Sequence, residues 1–187
     1  MRIIGGRHRG ARLADIAGNK TRPTADRVRE SIFNILDGGR YGSPLVNSIV
    51  LDLFAGTGAI GLEALSRGAV RANFVENDSA ALAVLRENIH KLQRMDDCRV
   101  IAGDATRLVN LLGNPANLVF ADAPYGTGDG LRAVANLNAI GALLPKSIAV
   151  IETGRQEELD PDILATTNLK RIDSRHYGKA AVHFLTS

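Results

Sequence analysis

The chain has 187 residues, one cysteine and 23% charged side chains. That length fits one domain with its own core, and a single thiol, Cys98, excludes a disulfide framework or a cysteine-built zinc site. No apolar run reaches the 18 residues of a membrane span and no signal-type N-terminus is present, so a soluble, cytoplasmic protein is expected.

The net charge of +3 conceals a polarity. Residues 1–29 hold eight basic residues, seven of them arginine, against two acidic ones; the remaining 158 hold 15 basic and 18 acidic. A basic arm on a mildly acidic body points to a polyanionic partner. The guanidinium fork matches phosphate, which favours RNA or DNA over a merely solvated face.

Residues 1–20 read as a basic β-hairpin and linker, and residues 21–187 as the main domain. Residues 1–4 and 11–14 are short strands around a glycine-rich turn whose tip presents Arg7, His8 and Arg9. An isolated hairpin is marginal, so it packs on the body or is ordered by a partner. His8 reads as a solvated turn residue rather than a base. Residues 15–22 are a linker. Thr24 then caps a helix over residues 25–37, with Val28, Ile32, Ile35 and Leu36 as its apolar stripe. Gly38 and Gly39 end it. Arg22, Arg27 and Arg29 cluster at its first turns, where the helix dipole already favours an anion.

Residues 49–63 read IVLDLFAGTGAIGLE, a buried strand, a glycine turn and a helix start. This is the nucleotide corner of a doubly wound α/β sheet. Gly56, Gly58 and Gly61 satisfy the dinucleotide spacing, and Glu76 lies about 20 residues on, so a NAD-dependent oxidoreductase remains open. Asp52 argues against it, because a carboxylate before the turn repels a pyrophosphate. S-adenosylmethionine has no phosphate and carries a sulfonium and an ammonium, both suited to an acidic neighbour.

A second strand, residues 72–76, ends on Glu76, placed to accept from ribose hydroxyls. Ser79 caps a helix over 80–92. A third strand, 99–102, leads to Asp104, which either accepts from an adenine amine or caps a short helix over 105–112. A fourth, 117–121, delivers Asp122-Ala123-Pro124-Tyr125 into a glycine-rich loop expected to be mobile. A helix over 131–144, a fifth strand over 148–152, a polar connection over 156–162 and an antiparallel pair over 169–174 and 180–186 complete the chain. Asp52, Glu76, Asp104 and Asp122 all fall at strand ends, where open α/β sheets bind ligands. Asp122 and the Ala123 carbonyl can accept from an exocyclic amine while Tyr125 stacks on its base.

Asp122-Ala-Pro-Tyr resembles the Asp-Pro-Pro-Tyr motif of methyltransferases acting on exocyclic amines of bases. With Arg2-Ile-Ile-Gly-Gly, Thr21-Arg-Pro-Thr-Ala-Asp-Arg-Val-Arg-Glu, Asp52-Leu-Phe-Ala-Gly-Thr-Gly and Leu62-Glu-Ala-Leu-Ser-Arg-Gly-Ala, the chain is similar to the bacterial 16S ribosomal RNA guanine-N2 methyltransferase family, the RsmD type. Ala123 departs from it, standing where the family usually has the first proline. The resemblance implies an α/β, Rossmann-like class I methyltransferase sheet of about seven strands, the last antiparallel, behind the small N-terminal hairpin. It implies S-adenosyl-L-methionine held by Asp52, Phe54, Gly56, Gly58, Glu76, Asn77, Asp104 and Ala105. Catalysis falls to Asp122, Ala123, Pro124 and Tyr125, and RNA contact to Arg7, Arg9, Arg12, Arg22 and Arg27. The expected partner is ribosomal RNA within the small subunit, with no membrane, no metal and a monomeric enzyme. The rivals are a DNA adenine-N6 methyltransferase, the NAD-dependent oxidoreductase and a non-catalytic RNA-binding module.

Overall fold

The computed structural model describes residues 1–16, 23–110 and 113–187, without the side chains of residues 23–25. At its centre lies a sheet of seven strands: β1 (Ile49–Leu53), β2 (Arg71–Glu76), β3 (Cys98–Ala102), β4 (Ala116–Asp122), β5 (Leu143–Gly154), β6 (Lys170–Tyr177) and β7 (Ala180–Thr186). Their spatial order is β3-β2-β1-β4-β5-β7-β6. β1 to β5 pair in parallel, and β7 runs antiparallel to both β5 and β6. The fold is the α/β, Rossmann-like class expected, with the last strand reversed.

The helices divide between two faces, since side chains along a buried strand alternate between layers. Leu51 and Leu53 of β1 belong to one core and Val50 to the other. Helices α1 (Pro23–Asp37), α2 (Ala59–Ser66) and α3 (Ser79–Lys91) cover the Val50 face; α4 (Asp129–Ala139) and the short α5 (Pro161–Ala165) cover the opposite face. On α1 the stripe of Val28, Ile32 and Leu36 is buried, with Ile35 only partly so. The stripe also includes Phe33, whose ring lies 5.5 Å from that of Phe120 on β4.

Several boundaries differ from the sequence expectation. The first helix begins at Pro23, so Thr24 is its second residue rather than its cap; a proline at that first position loses no bonded N–H. The cap of α3 is Asp78, accepting from Ala81 N at 2.8 Å, and Ser79 is the first helical residue. The fourth helix stops at Ala139, because Gly141 turns left-handed (φ 69°) and Leu143 already opens β5. Asp104 caps only a 3₁₀ turn, Ala105–Arg107, and residues 111–112 of the expected helix lie outside those described. The polar connection after β5 contains α5, capped by Asp160. Most of the expected linker, residues 17–22, is likewise outside the described residues.

The N-terminal hairpin closes through a single bridge, Arg2 to Arg12, and the bonds from Ile3 N to Ala11 O, Gly10 N to Ile3 O and Leu13 N to Met1 O. Ile3 and Leu13 join the core under α1 to α3. The hairpin is also fastened to α2. Fully buried Glu63 accepts from Ile4 N at 2.7 Å and Gly5 N at 2.8 Å. Ser66 O accepts from Arg7 N, and Ser66 Oγ accepts from His8 N at 2.8 Å and donates to Gly5 O at 2.6 Å. His8 is therefore not the solvated turn residue expected. It is half-buried, its Nε2 finds no partner among the described residues, and burial with Arg94 and Arg7 nearby pushes its pKa down.

Candidate active site

The strand order reverses between β1 and β4, and a cavity of about 760 Å³ opens there. Such crevices, outside the carboxyl ends of the strands, are where open α/β sheets take ligands. Asp52 from β1, Asp122 from β4 and Glu152 from β5 line it together, with Phe54, Gly56 and Thr57 of the glycine turn, Ala59 and Ile60 of α2, Tyr125, and Gly178 and Lys179 of the β6–β7 turn.

The glycine turn is held by the two carboxylates that bracket it. Asp52 Oδ2 accepts from Gly61 N at 2.8 Å. Glu76 Oε2 accepts from Gly56 N at 2.7 Å, while its Oε1 accepts from Asn77 N and Asp78 N, each at 2.8 Å. Gly61 is needed for close packing: a Cβ there would lie 2.4 Å from the Phe74 ring and 3.2 Å from Asp52 Oδ2. Gly58, expected to approach a ligand, is absent from the cavity lining and has a packing need of its own: a Cβ there would lie 2.3 Å from Leu85. Phe54 takes a left-handed backbone (φ 60°), which a phenylalanine rarely adopts outside functional turns.

Burial raises the pKa of three carboxylates of the cavity, Asp52, Asp122 and Glu152. Burial raises Asp52 to about 8, with the charges of Asp122 and Glu76 adding to it and the Gly61 N–H opposing. Asp122 is open on its cavity side but enclosed by protein elsewhere. That enclosure, then the charge of Glu152, pushes it up; Glu152 is pushed up by burial too, against the stabilising bond from the Tyr125 hydroxyl. Groups that repel one another's charge in a low-dielectric site hold their protons more tightly, and a bound cation would favour their ionised forms.

The loop after β4 is fastened rather than loose. Glu157 accepts from Gly126 N, Gly154 N and Gly128 N at 2.8, 3.1 and 3.2 Å, and Thr127 Oγ1 donates to Pro124 O at 2.8 Å. Ala123 is buried directly behind Asp122. These bonds restrain the backbone whose carbonyl the alanine supplies.

Of the residues expected at the site, Asp52, Phe54, Gly56, Asp122 and Tyr125 line the cavity, and Glu76 reaches it through Gly56. Ala123 and Pro124 line a small adjoining hollow. Asn77, Asp104 and Ala105 are absent from the lining; Asp104 accepts from Thr106 N and Oγ1, the capping alternative. Arg7, Arg9 and Arg12 are exposed on the hairpin. Arg9 and Arg27 also line a separate groove with Arg2, while Arg22 lies outside the described residues. Glu152, Glu157 and Lys179 were not among the expected site residues, and Arg29 was expected only as one of three arginines near an anion at the start of α1. Glu152 carried the same strand-end signal as Asp122; the others come from distant segments.

Among the described residues no group of three or more His, Cys, Asp or Glu is arranged to hold a metal ion, and no helix is long and apolar enough to cross a membrane. Cys98 begins β3, half-buried, its thiol pushed up to about 12 by burial.

Comparison with known proteins places this geometry in context. Residues 1–186 match the family described as Conserved hypothetical protein 95. The chain is 36% identical over 171 residues to ribosomal RNA small subunit methyltransferase D of Escherichia coli, spanning 91% of this chain and 83% of that one. It is 32% identical over 165 residues to the protein of the same name from Haemophilus influenzae, spanning 85% and 81%. The solved structure of yhhF from Escherichia coli superposes with a TM-score of 0.81 at 33% identity, covering 100% of this chain and 97% of that one.

Proposed function

Because the chain belongs to the ribosomal RNA small subunit methyltransferase D family, we propose that it transfers a methyl group from S-adenosyl-L-methionine to the exocyclic N2 of a guanine in small-subunit ribosomal RNA. The observation that carries the reading is the convergence of Asp52, Asp122 and Glu152 on one cavity of about 760 Å³ beside the glycine turn. Carboxylates pushed toward protonation suit a ligand that brings two positive charges. They suit a pyrophosphate poorly, which disfavours the dinucleotide alternative. The cofactor, when bound, supplies an electrophilic methyl on a sulfonium.

The chain's own groups do the rest by position. Glu76 faces the turn where a ribose would lie. Tyr125, about half exposed, offers its ring to a base, and its hydroxyl bond to Glu152 steers that ring. Asp122 and the Ala123 carbonyl accept from the exocyclic N–H bonds, which directs the nitrogen lone pair toward the methyl. With its pKa raised, Asp122 is also able to take the proton the amine sheds. No covalent enzyme intermediate is formed.

Donor binding should expel protons. Asp52, raised to about 8, is mostly protonated at pH 7, and a bound cation favours its ionised form. Affinity should therefore rise as pH climbs toward 8. Calorimetry at pH 7 in buffers of different ionisation enthalpy should give different observed enthalpies, more so for S-adenosylmethionine than for S-adenosylhomocysteine, which lacks the sulfonium. Buffer-independent enthalpies would contradict the charge logic of the cavity.

The RNA would lie across the hairpin face, where Arg7, Arg9 and Arg12 are exposed. Each phosphate contact contributes about 0.7–0.9 log units of affinity per tenfold change in salt. Replacing the three with alanine should flatten that dependence by about 2 and leave donor affinity alone. An unchanged slope would put the RNA elsewhere. The function itself is tested by incubating small-subunit RNA with protein and donor, then identifying the methylated nucleoside; N2-methylguanosine is the expected product.

A further inference from the structure

A further hollow of about 620 Å³ opens to the surface next to the cavity, and the two share Tyr125, Gly178 and Lys179 as a common rim. The charged residues lining this hollow are Arg155, Glu157 and Lys179. Glu157 is occupied by the N–H groups of Gly126, Gly128 and Gly154. Arg155 and Lys179 are exposed, and neither forms an ion pair among the described residues. Cations against β6 differ in this respect: Arg40 and Arg175 each meet Asp173 at 3.0 Å, and Arg171 meets Glu158 at 3.4 Å. Arg155 is fastened to the β6–β7 turn, its N donating to Lys179 O at 2.8 Å and its Nη1 to Gly178 O at 3.1 Å. Like charges brought together by the backbone repel, and an anion between them relieves that cost.

The place of this pair in the fold points to the anion. Along the sheet, the hairpin and the β6–β7 turn lie to either side of β4. The hairpin segment is bonded to α2 through Glu63, and to α3 through Ala14 N and Asn88 Oδ1 at 2.7 Å, on the side of β1, β2 and β3. The turn joins the strands beyond β5. Asp122 and Tyr125 follow β4, between the two. A base that stacks on Tyr125 and offers its amine to Asp122 has to leave its own stack. Its strand then crosses the mouth of the cavity, with phosphates before and after the target nucleotide.

We infer that Arg155 and Lys179 bind the backbone phosphates of the RNA strand next to the methylated nucleotide, on the side away from the hairpin. The strand is gripped at two places with the target between them. Arg155 and Lys179 touch the strand and not the reacting amine. The inference rests on the protein being an RNA methyltransferase.

The test measures affinity for small-subunit RNA, taken from a strain lacking the protein, as a function of salt. Arg155→Ala with Lys179→Ala should lower the slope of log affinity against log salt by about 1.5, at about 0.7–0.9 per phosphate contact. Near ~0.15 M salt the same loss appears as a roughly 10- to 30-fold rise in KM for the RNA. Donor affinity should not fall, since removing cations beside an acidic cavity does not repel a cationic donor; a collapsed turn would lower it. Lys170→Ala with Arg171→Ala removes the same charge from β6 and should leave the slope within about 0.3 of wild type. Because Arg155 also braces the turn, Lys179→Gln alone serves as a second variant, with an expected change in slope of about 0.8. An unchanged slope in Lys179→Gln, or an equal fall in the β6 control, would overturn the proposal and leave the enzymatic reading intact. So would a loss of donor affinity matching the loss of RNA affinity, which would assign both residues to holding the turn. A wild-type protein that neither binds nor methylates the RNA would overturn the enzymatic reading itself.

Discussion

Asp122→Ala is expected to cut turnover at least ~10²-fold while S-adenosylmethionine affinity stays within a few-fold of wild type. The carboxylate sits at the end of β4 on the cavity wall, ahead of buried Ala123. In the proposed mechanism it serves the reacting amine as acceptor and then as base, so its loss should appear in the chemical step rather than in donor binding. Asp122→Asn separates the two roles, since the amide keeps an acceptor oxygen but takes no proton. Tyr125→Phe tests the support of the same centre. The ring face remains, but the hydroxyl bond to Glu152 is gone, so a several-fold loss is expected, against a severe one for Tyr125→Ala. Single-turnover kinetics with separate donor titrations checks all four. Full activity in Asp122→Ala would remove the residue from the mechanism.

The second large effect is on stability. Glu63→Ala should destabilise the fold by about 3–5 kcal/mol, the usual cost of breaking a buried charged pair by removing one partner. Glu63 is fully buried and holds Ile4 N, Gly5 N and Arg67 Nε (2.7 Å); Arg67 in turn holds Asp37 at 2.6 Å. Removing it strands two backbone donors and the Nε–H of Arg67. For a domain of this length that corresponds to a fall of roughly 6–20 °C in Tm. Glu63→Gln should lose less, because one acceptor oxygen remains. A Tm within 2 °C of wild type for Glu63→Ala would mean that the hairpin is seated by its apolar side chains alone. The consequence reaches the site, because Met1 and Asp15, at the two ends of the hairpin segment, line the cavity.

Much of the fold was legible because its signals are local. Residues 49–61 carry a strand, a turn and a helix start in one continuous pattern, and the acidic strand ends follow from the spacing of apolar runs. Glu152 was legible by the same rule, since the fifth strand was expected to end on it. What escaped depends on tertiary contact. Nothing local distinguishes Glu63, buried under the hairpin, from a solvated helix glutamate, and the packing need for Gly58 is invisible until Leu85 is placed against it. Glu157 reads as part of a polar connection, yet it pins two N–H groups of the loop after β4 and one at the end of β5. Arg29 was one of three arginines assigned to an anion near α1; only packing separates it, buried in the cavity wall, from exposed Arg27. The fourth helix overran because residues 142–144 are apolar whether they end a helix or begin a strand.

The most direct measurement is the identity of the methylated atom. Small-subunit RNA from a strain lacking this protein would be incubated with the purified chain and methyl-labelled S-adenosylmethionine, then digested to nucleosides and resolved by mass spectrometry. An exocyclic amine acceptor pair, Asp122 and the Ala123 carbonyl, predicts label on N2-methylguanosine alone, and none with Asp122→Ala. Label on a ring carbon or a ribose hydroxyl, or undiminished label with Asp122→Ala, would contradict it.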